Sequence, residues 1–213
     1  MALTIKQILQ TASPILPVIV IDDVARAVDL AHALAAADIR VLEITLRTPR
    51  ALAAISAIRH ALPHLWVGAG TVLQENQWRA ACEAGAQFVV SPGLTDRLTA
   101  TAQRLETPFL PGVFTPSEVM AAVERGFDTL KRFPAHGETG LQWLNSVREL
   151  FPSVSFCPTG GVAASNYRAY LQLPNVVCVG GSWLTPAELV HAGAWETITQ
   201  RAKEAIQRAS SAC

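Results

Sequence analysis

The sequence predicts an α/β protein of the (β/α)8 TIM-barrel class, folded as one domain over residues 1–213. Three observations carry that reading. Eight short runs rich in β-branched residues recur along the chain, and their starts lie 20 to 26 residues apart. Alanine-rich stretches with helical periodicity fill the gaps, as at 24–37, 49–62 and 117–125. No GxGxxG or Walker loop follows any of the runs, which weakens the alternative of a doubly wound open sheet. Strand, helix and strand in such regular alternation pair in parallel through right-handed crossovers, and eight minimal units close into a barrel.

"ILPVIVI" (15–21) is the one candidate for a targeting segment, but it is too short to span a bilayer, holds Pro17 and runs into Asp22 and Asp23. "VLEIT" (41–45) continues into Leu46 and Arg47, so strand alternation puts Glu43, Thr45 and Arg47 on one face and Leu42, Ile44 and Leu46 on the other. The apolar set suits the layer under the helices, which leaves the polar set facing the barrel axis. "WVGAGTV" (66–72) ends in Gly70 and Thr71, "FVVSP" (88–92) in Ser91 and Pro92, and "PFLPGV" (108–113) carries Pro111 and Gly112. In "TLKRFP" (129–134), the same alternation groups Lys131 with Phe133 and sends Arg132 the other way. "VSFCPTGG" (154–161) and "VVCVGGSW" (176–183) end in glycine pairs, with Thr159, Gly160 and Gly161 after the one and Gly180, Gly181 and Ser182 after the other. Polar residues thus gather at the C-terminal ends of the strands, where barrels of this class build their sites.

Lys131 and Glu43 are the pair with chemical potential. A buried ion pair contributes little to stability, so its place at the open end of a barrel favours a chemical role. A lysine in a partly desolvated site beside a second cation, here Arg47, gives up its proton more readily. A neutral amine attacks a ketone to form a Schiff base, which draws electrons from a neighbouring C–C bond, and a nearby carboxylate can shuttle the protons. The glycine turns after the seventh and eighth runs expose backbone N–H groups at the usual phosphate position of the fold, with helix N-termini expected to follow them.

Other chemistries have less support. Formal net charge is zero and no basic stripe is present, so nucleic acid is not an expected partner. Half the residues are hydrophobic and 16% are charged, as suits a large core and a soluble, cytoplasmic protein without a membrane span. Cys82, Cys157, Cys178 and Cys213 form no CxxC pair, so they read as free thiols in a reducing compartment. His60 and His64 have the spacing of a helical metal pair, but Pro63 separates them; no metal and no cofactor are expected.

In order, "EITLRT", "VGAGTV", "SPG", "PGVFTPSE", "LKRFPA", "CPTGGV" and "VGGSW" resemble the 2-keto-3-deoxy-6-phosphogluconate (KDPG)/4-hydroxy-2-oxoglutarate aldolase family, from about Ile15 to Trp183. The resemblance implies a metal-independent class I aldolase, usually a homotrimer, that cleaves the phosphorylated keto acid of the Entner-Doudoroff pathway to pyruvate and glyceraldehyde 3-phosphate. It implies Lys131 as the Schiff-base residue and Glu43 as the general acid/base. Arg47 and Thr71 match groups around the pyruvate carboxylate, and Phe133 packs beside the lysine. Thr159 lies where the hydroxyls are read, and Gly160, Gly161, Gly181 and Ser182 belong to the phosphate turns. The sister galactonate-type aldolases, acting on the epimeric substrate, tend to lack the threonine. Arg132 and His136 depart from the family pattern, which has an apolar residue and commonly a glutamate there. A non-lyase phosphosugar epimerase or isomerase would need no lysine facing a glutamate.

Overall fold

A computed structural model describes residues 3–210, so the thiol expected at Cys213 lies outside the described residues. The chain runs α1 (Ile5–Ala12), β1 (Ile15–Ile19), α2 (Ala27–Ala35), β2 (Val41–Thr45), α3 (Ala51–Ala61), β3 (Trp66–Gly70), α4 (Glu75–Glu83) and β4 (Phe88–Val90). It continues through α5 (Asp96–Leu105), β5 (Phe109–Leu110), β6 (Gly112–Val113), α6 (Pro116–Glu124), β7 (Thr129–Arg132), α7 (Gly137–Val147) and β8 (Ser155–Pro158). The last elements are α8 (Tyr167–Leu171), β9 (Val179–Gly181), α9 (Ala187–His191) and α10 (Trp195–Ser210). A 3-10 turn over Val24–Arg26 leads into α2 and takes the first part of the helix expected at 24–37. None of the described helices is long and apolar enough to cross a membrane.

The architecture is α/β with parallel strands, in two sheets. One sheet has the order β5-β4-β3-β2-β1-β9 and the other β6-β7-β8. Every pairing between these strands is parallel. The expectation of eight unbroken strands needs correction at "PFLPGV". Pro111 has no N–H to give a ladder, so that run divides into β5 and β6. The Pro111 carbonyl still accepts from the Lys131 N–H at 2.8 Å. At the other margin, single bridges join Phe156 to Val176 and Thr159 to Gly180.

Strand alternation sorts the core as the sequence predicts. Leu42, Ile44, Val67, Ala69, Leu130 and Phe156 belong to the larger apolar cluster, which includes the inward faces of the helices. Val41, Phe88, Val90, Leu110, Cys157 and Cys178 form a second cluster together with Ile8, Leu9 and Ala12 of α1. That short helix was not anticipated. It starts at a capping box, with Thr4 accepting from the Gln7 N–H and the Gln7 side chain reaching back to Thr4. Its apolar face fills the inner cluster, on the same strand faces as the functional side chains. Cys157 and Cys178 are free thiols with their sulfurs 3.6 Å apart. The contact with Cys157 and burial push the Cys178 thiol well above its usual range, as suits packing rather than reactivity.

Candidate active site

β2 and β7 belong to different sheets, yet their inward-facing side chains meet. Glu43 follows Val41 on the inner face of β2, and Lys131 lies on the inner face of β7, since Leu130 joins the helix-side cluster. In register, Lys131 stands between Gly112 and Cys157, and both neighbours are small enough to leave its stem room. Lys131 Nζ lies 3.2 Å from Glu43 Oε1, with side-chain exposures of 6% and 1%. The second carboxylate oxygen, Oε2, is buried without a hydrogen-bond partner among the described residues. An acceptor left open beside an amine can receive a proton from a third group. The Phe133 ring lies 5.4 Å from Nζ, within cation–π range.

A cavity of about 200 Å³ opens above this pair. Its lining includes Arg47, Lys131, Phe133, Thr159, Gly160, Gly161, Gly181 and Ser182. Eight of the ten sequence-predicted residues therefore line one cavity; Glu43 touches it through Lys131. Thr71 is not part of that lining; it is half-buried, in a left-handed conformation at φ 59° directly after β3. Thr45, on the Glu43 face, spends its hydroxyl on the Ile19 carbonyl at 3.0 Å and so ties β2 to β1. A larger groove of about 880 Å³ around Leu73, Thr95 and Arg97 has no lysine in its lining. Its Glu75 is already paired with Arg79 and Arg104.

The glycine turns work differently from the expectation. Gly160 and Gly161 both have positive φ, at 82° and 81°, a conformation costly for residues with a Cβ. Their N–H groups, and that of Ser182, find no acceptor among the described residues, while the Gly160 carbonyl accepts from Ala135 and His136. The expected helix N-termini do not follow directly: α8 starts at Tyr167 and α9 at Ala187. The loops instead present free backbone donors, which suffice to hold an anion. Gly180 and Gly181 are required by close approach. A Cβ on Gly180 would lie 2.2 Å from Thr159 Oγ1, and one on Gly181 would lie 1.6 Å from the Trp183 ring.

Arg132 points away from the site, as alternation requires. Its guanidinium sits 4.0 Å from the Phe114 ring and 4.4 Å from the Trp143 ring, with Nε and Nη1 buried and unpartnered. Burial lowers its pKa, opposed by Tyr170 and Glu118. His136 is exposed, edge-on to Phe114 at 6.2 Å, and its backbone N is 3.2 Å from where a Gly161 Cβ would stand. His60 lies in the last turn of α3 and His64 beyond its end. Among the described residues no three His, Cys, Asp or Glu side chains gather in a group suited to a metal.

The family model described as KDPG and KHG aldolase matches residues 5–201. The chain belongs to the KDPG and KHG aldolase family. The KHG/KDPG aldolase of Escherichia coli K12 is 46% identical over 199 residues, 93% of either chain. The 2-dehydro-3-deoxy-phosphogluconate aldolase of Dickeya dadantii is 45% identical, over 97% of this chain and 96% of its own. Among solved structures, the KDPG aldolase of Legionella pneumophila superposes with a TM-score of 0.93 at 41% identity. The match covers 96% of this chain and 99% of that one, in a structure with pyruvate captured as a covalent carbinolamine.

For an aldolase of this family, one further feature of the site is written in the sequence of β3. Gly68 and Gly70 alternate with Ala69, which leaves two inward positions of β3, beyond Trp66, without side chains. The unpartnered Glu43 Oε2, by contrast, depends on the three-dimensional packing.

Proposed function

We propose that this chain is a class I aldolase that cleaves 2-keto-3-deoxy-6-phosphogluconate to pyruvate and D-glyceraldehyde 3-phosphate, with a side activity on 4-hydroxy-2-oxoglutarate. The observation that carries this reading is the buried Lys131–Glu43 pair, 3.2 Å apart, at a cavity whose lining includes glycine turns with free N–H groups. Lys131 in its neutral form attacks the C2 ketone, and the carbinolamine loses water to give an iminium ion. Glu43 takes the proton from the C4 hydroxyl, the C3–C4 bond breaks, and its electrons pass to the iminium to leave an enamine and the aldehyde. Return of the proton to C3 and hydrolysis release pyruvate and the free amine. Arg47, in the cavity lining with Lys131, offers a charge for the carboxylate, and Thr71, directly after β3, is assigned to the same group. Thr159 reads the hydroxyls, and Gly160, Gly161, Gly181 and Ser182 hold the phosphate through their N–H groups and the serine hydroxyl. Phe133 packs against the lysine.

The finer architecture forms part of the same proposal: the two sheets are arcs of one closed (β/α)8 barrel, a single domain over the chain. Continuity through Pro111, the bridge from Thr159 to Gly180 and the Lys131–Glu43 contact between sheets support closure. A homotrimer in the cytoplasm, needing neither metal nor cofactor, completes the reading. Thr159, held against Gly180 in the cavity wall, favours the gluconate-type substrate over its galactonate epimer.

Treatment with pyruvate and borohydride tests the mechanism. A single reduced adduct on Lys131, absent from Lys131→Ala, is the expected result. An adduct on Lys6 or Lys203, or full activity in Lys131→Ala, would exclude it. Rates on the two epimers decide the substrate.

A further inference from the structure

Glu43 is the longest functional side chain on the inner face of β2, and something must set where its carboxylate stands. The sequence of β3 bears on this. In "WVGAG" the residues alternate inward and outward, with Ala69 in the helix-side cluster, so Gly68 and Gly70 both face inward. The two gaps are filled from neighbouring strands. A Cβ built on Gly68 would stand 2.3 Å from the Phe88 ring of β4. One built on Gly70 would stand 2.1 Å from Glu43 Oε1 and 2.7 Å from both its Cδ and Cγ. The distal half of the glutamate therefore occupies the volume that any side chain at position 70 would take. Real Cβ contacts do not approach so closely, and the close-packed surroundings give little room to relax.

We propose that Gly70 is a positioning residue for the proton transfer: its missing side chain is the seat that aims the Glu43 carboxylate at Lys131. The proposal rests on the roles assigned above to Glu43 and Lys131. Both ends of the seat are fixed by backbone. Gly70 is in register with Thr45, its carbonyl accepts from the Leu46 N–H at 2.8 Å, and Thr45 is itself tied to Ile19. A methyl at position 70 cannot be absorbed by sliding β3 past β2, so the carboxylate must move. Gly70 has no left-handed φ, so alanine adds a methyl without backbone strain.

The test separates imine formation from proton transfer. In Gly70→Ala, borohydride trapping of pyruvate on Lys131 should stay within about threefold of wild type, because the lysine keeps its strand position and stem and loses only its carboxylate partner. Exchange of the pyruvate methyl protons into heavy water should fall by on the order of 10²-fold, the scale of losing a positioned acid–base group. Glu43→Gln should cost a comparable factor in the wild-type background but less than about tenfold in Gly70→Ala, where the carboxylate is already displaced. A purely structural role for Gly70 predicts that trapping and exchange decline together and that the two substitutions multiply. That result, or wild-type exchange in Gly70→Ala, would overturn the proposal. If Gly70→Ala is too unstable to assay, thermal unfolding replaces kinetics. Glu43→Asp withdraws a methylene from the seat, so the double variant should melt higher than Gly70→Ala alone, and equal or lower melting overturns the idea. Wild-type exchange in Glu43→Gln alone would instead remove the assigned role of Glu43, an outcome distinct from failure of the seat.

Discussion

Replacing Arg132 with leucine should make the protein more stable and leave its chemistry intact. Arg132 is 2% exposed, and two of its guanidinium nitrogens are buried without acceptors. Each such donor costs about 1–3 kcal/mol. The two flanking rings, Phe114 at 4.0 Å and Trp143 at 4.4 Å, return about 1–2 kcal/mol each as cation–π contacts. Those terms roughly offset, so the charge itself stabilises nothing. A leucine of smaller volume keeps apolar contact with both rings and removes the unpaired donors. Buried charged groups replaced by apolar ones commonly give about 1–4 kcal/mol, and the lower half of that range applies here because the cation–π contacts are lost. For a chain of this size, about 1–2 kcal/mol corresponds to a rise in Tm of about 2–8 °C. Differential scanning calorimetry measures it directly. The side chain projects from the face opposite Lys131, so kcat/KM should remain within about threefold. A fall in Tm of several degrees would refute this accounting and show that the stacked cation is a net stabiliser. A large loss of kcat at unchanged Tm would show that the outer face of β7 governs the amine.

Three further outcomes can be checked. Gly161→Val places a β-branched residue at φ 81°, beside the backbone N of His136; kcat/KM on the phosphorylated substrate should fall by on the order of 10²-fold as charge-assisted N–H contacts are lost. Pyruvate trapping at Lys131 should survive, and equal wild-type kcat/KM on phosphorylated and unphosphorylated substrates would remove the turns from recognition. EDTA should leave turnover unchanged, because the iminium serves as the electron sink; inhibition reversed by a divalent cation would point to a metal-dependent route. Although burial alone would raise it, the Glu118 carboxyl is held below its usual value by hydrogen bonds from the Thr115 and Phe114 N–H groups and the Thr115 hydroxyl. A depressed folded-state value stabilises above the unfolded pKa of about 4.3 and loses that effect as pH falls through the folded value. The Tm gap between wild type and Glu118→Ala should therefore be open at pH 7 and close progressively below about pH 4, and a gap independent of pH would contradict it.

What the sequence made legible follows from which features are local. Alternation in "LEITLR" and "TLKRFP" is a property of any pleated strand, so Glu43 and Lys131 could be put on inner faces and Arg132 on the outer one before any coordinates. Helix α1 is equally local: Thr4 and Gln7 have capping-box spacing, and Ile5, Ile8, Leu9 and Ala12 keep helical period, so the sequence carries its signal. The break at Pro111 is local too, since a residue without an N–H interrupts a ladder wherever it stands. The remainder depends on contacts between segments far apart in sequence. Nothing in "CPTGG" states how far the next helix lies in space, so the supposed dipoles at the phosphate turns had to be exchanged for free backbone N–H groups. Thr45 looked as available as Glu43, and only the Ile19 carbonyl of the adjoining strand shows its hydroxyl to be spent. The sequence of β3 shows two inward glycines, but whether each leaves a void, a ligand site or a seat depends on which side chain arrives from β2 or β4. At position 68 it is a ring of the core, and at position 70 it is the carboxylate on which proton transfer is proposed to depend. The same residue type on the same strand face thus has two consequences, separated only by its neighbours.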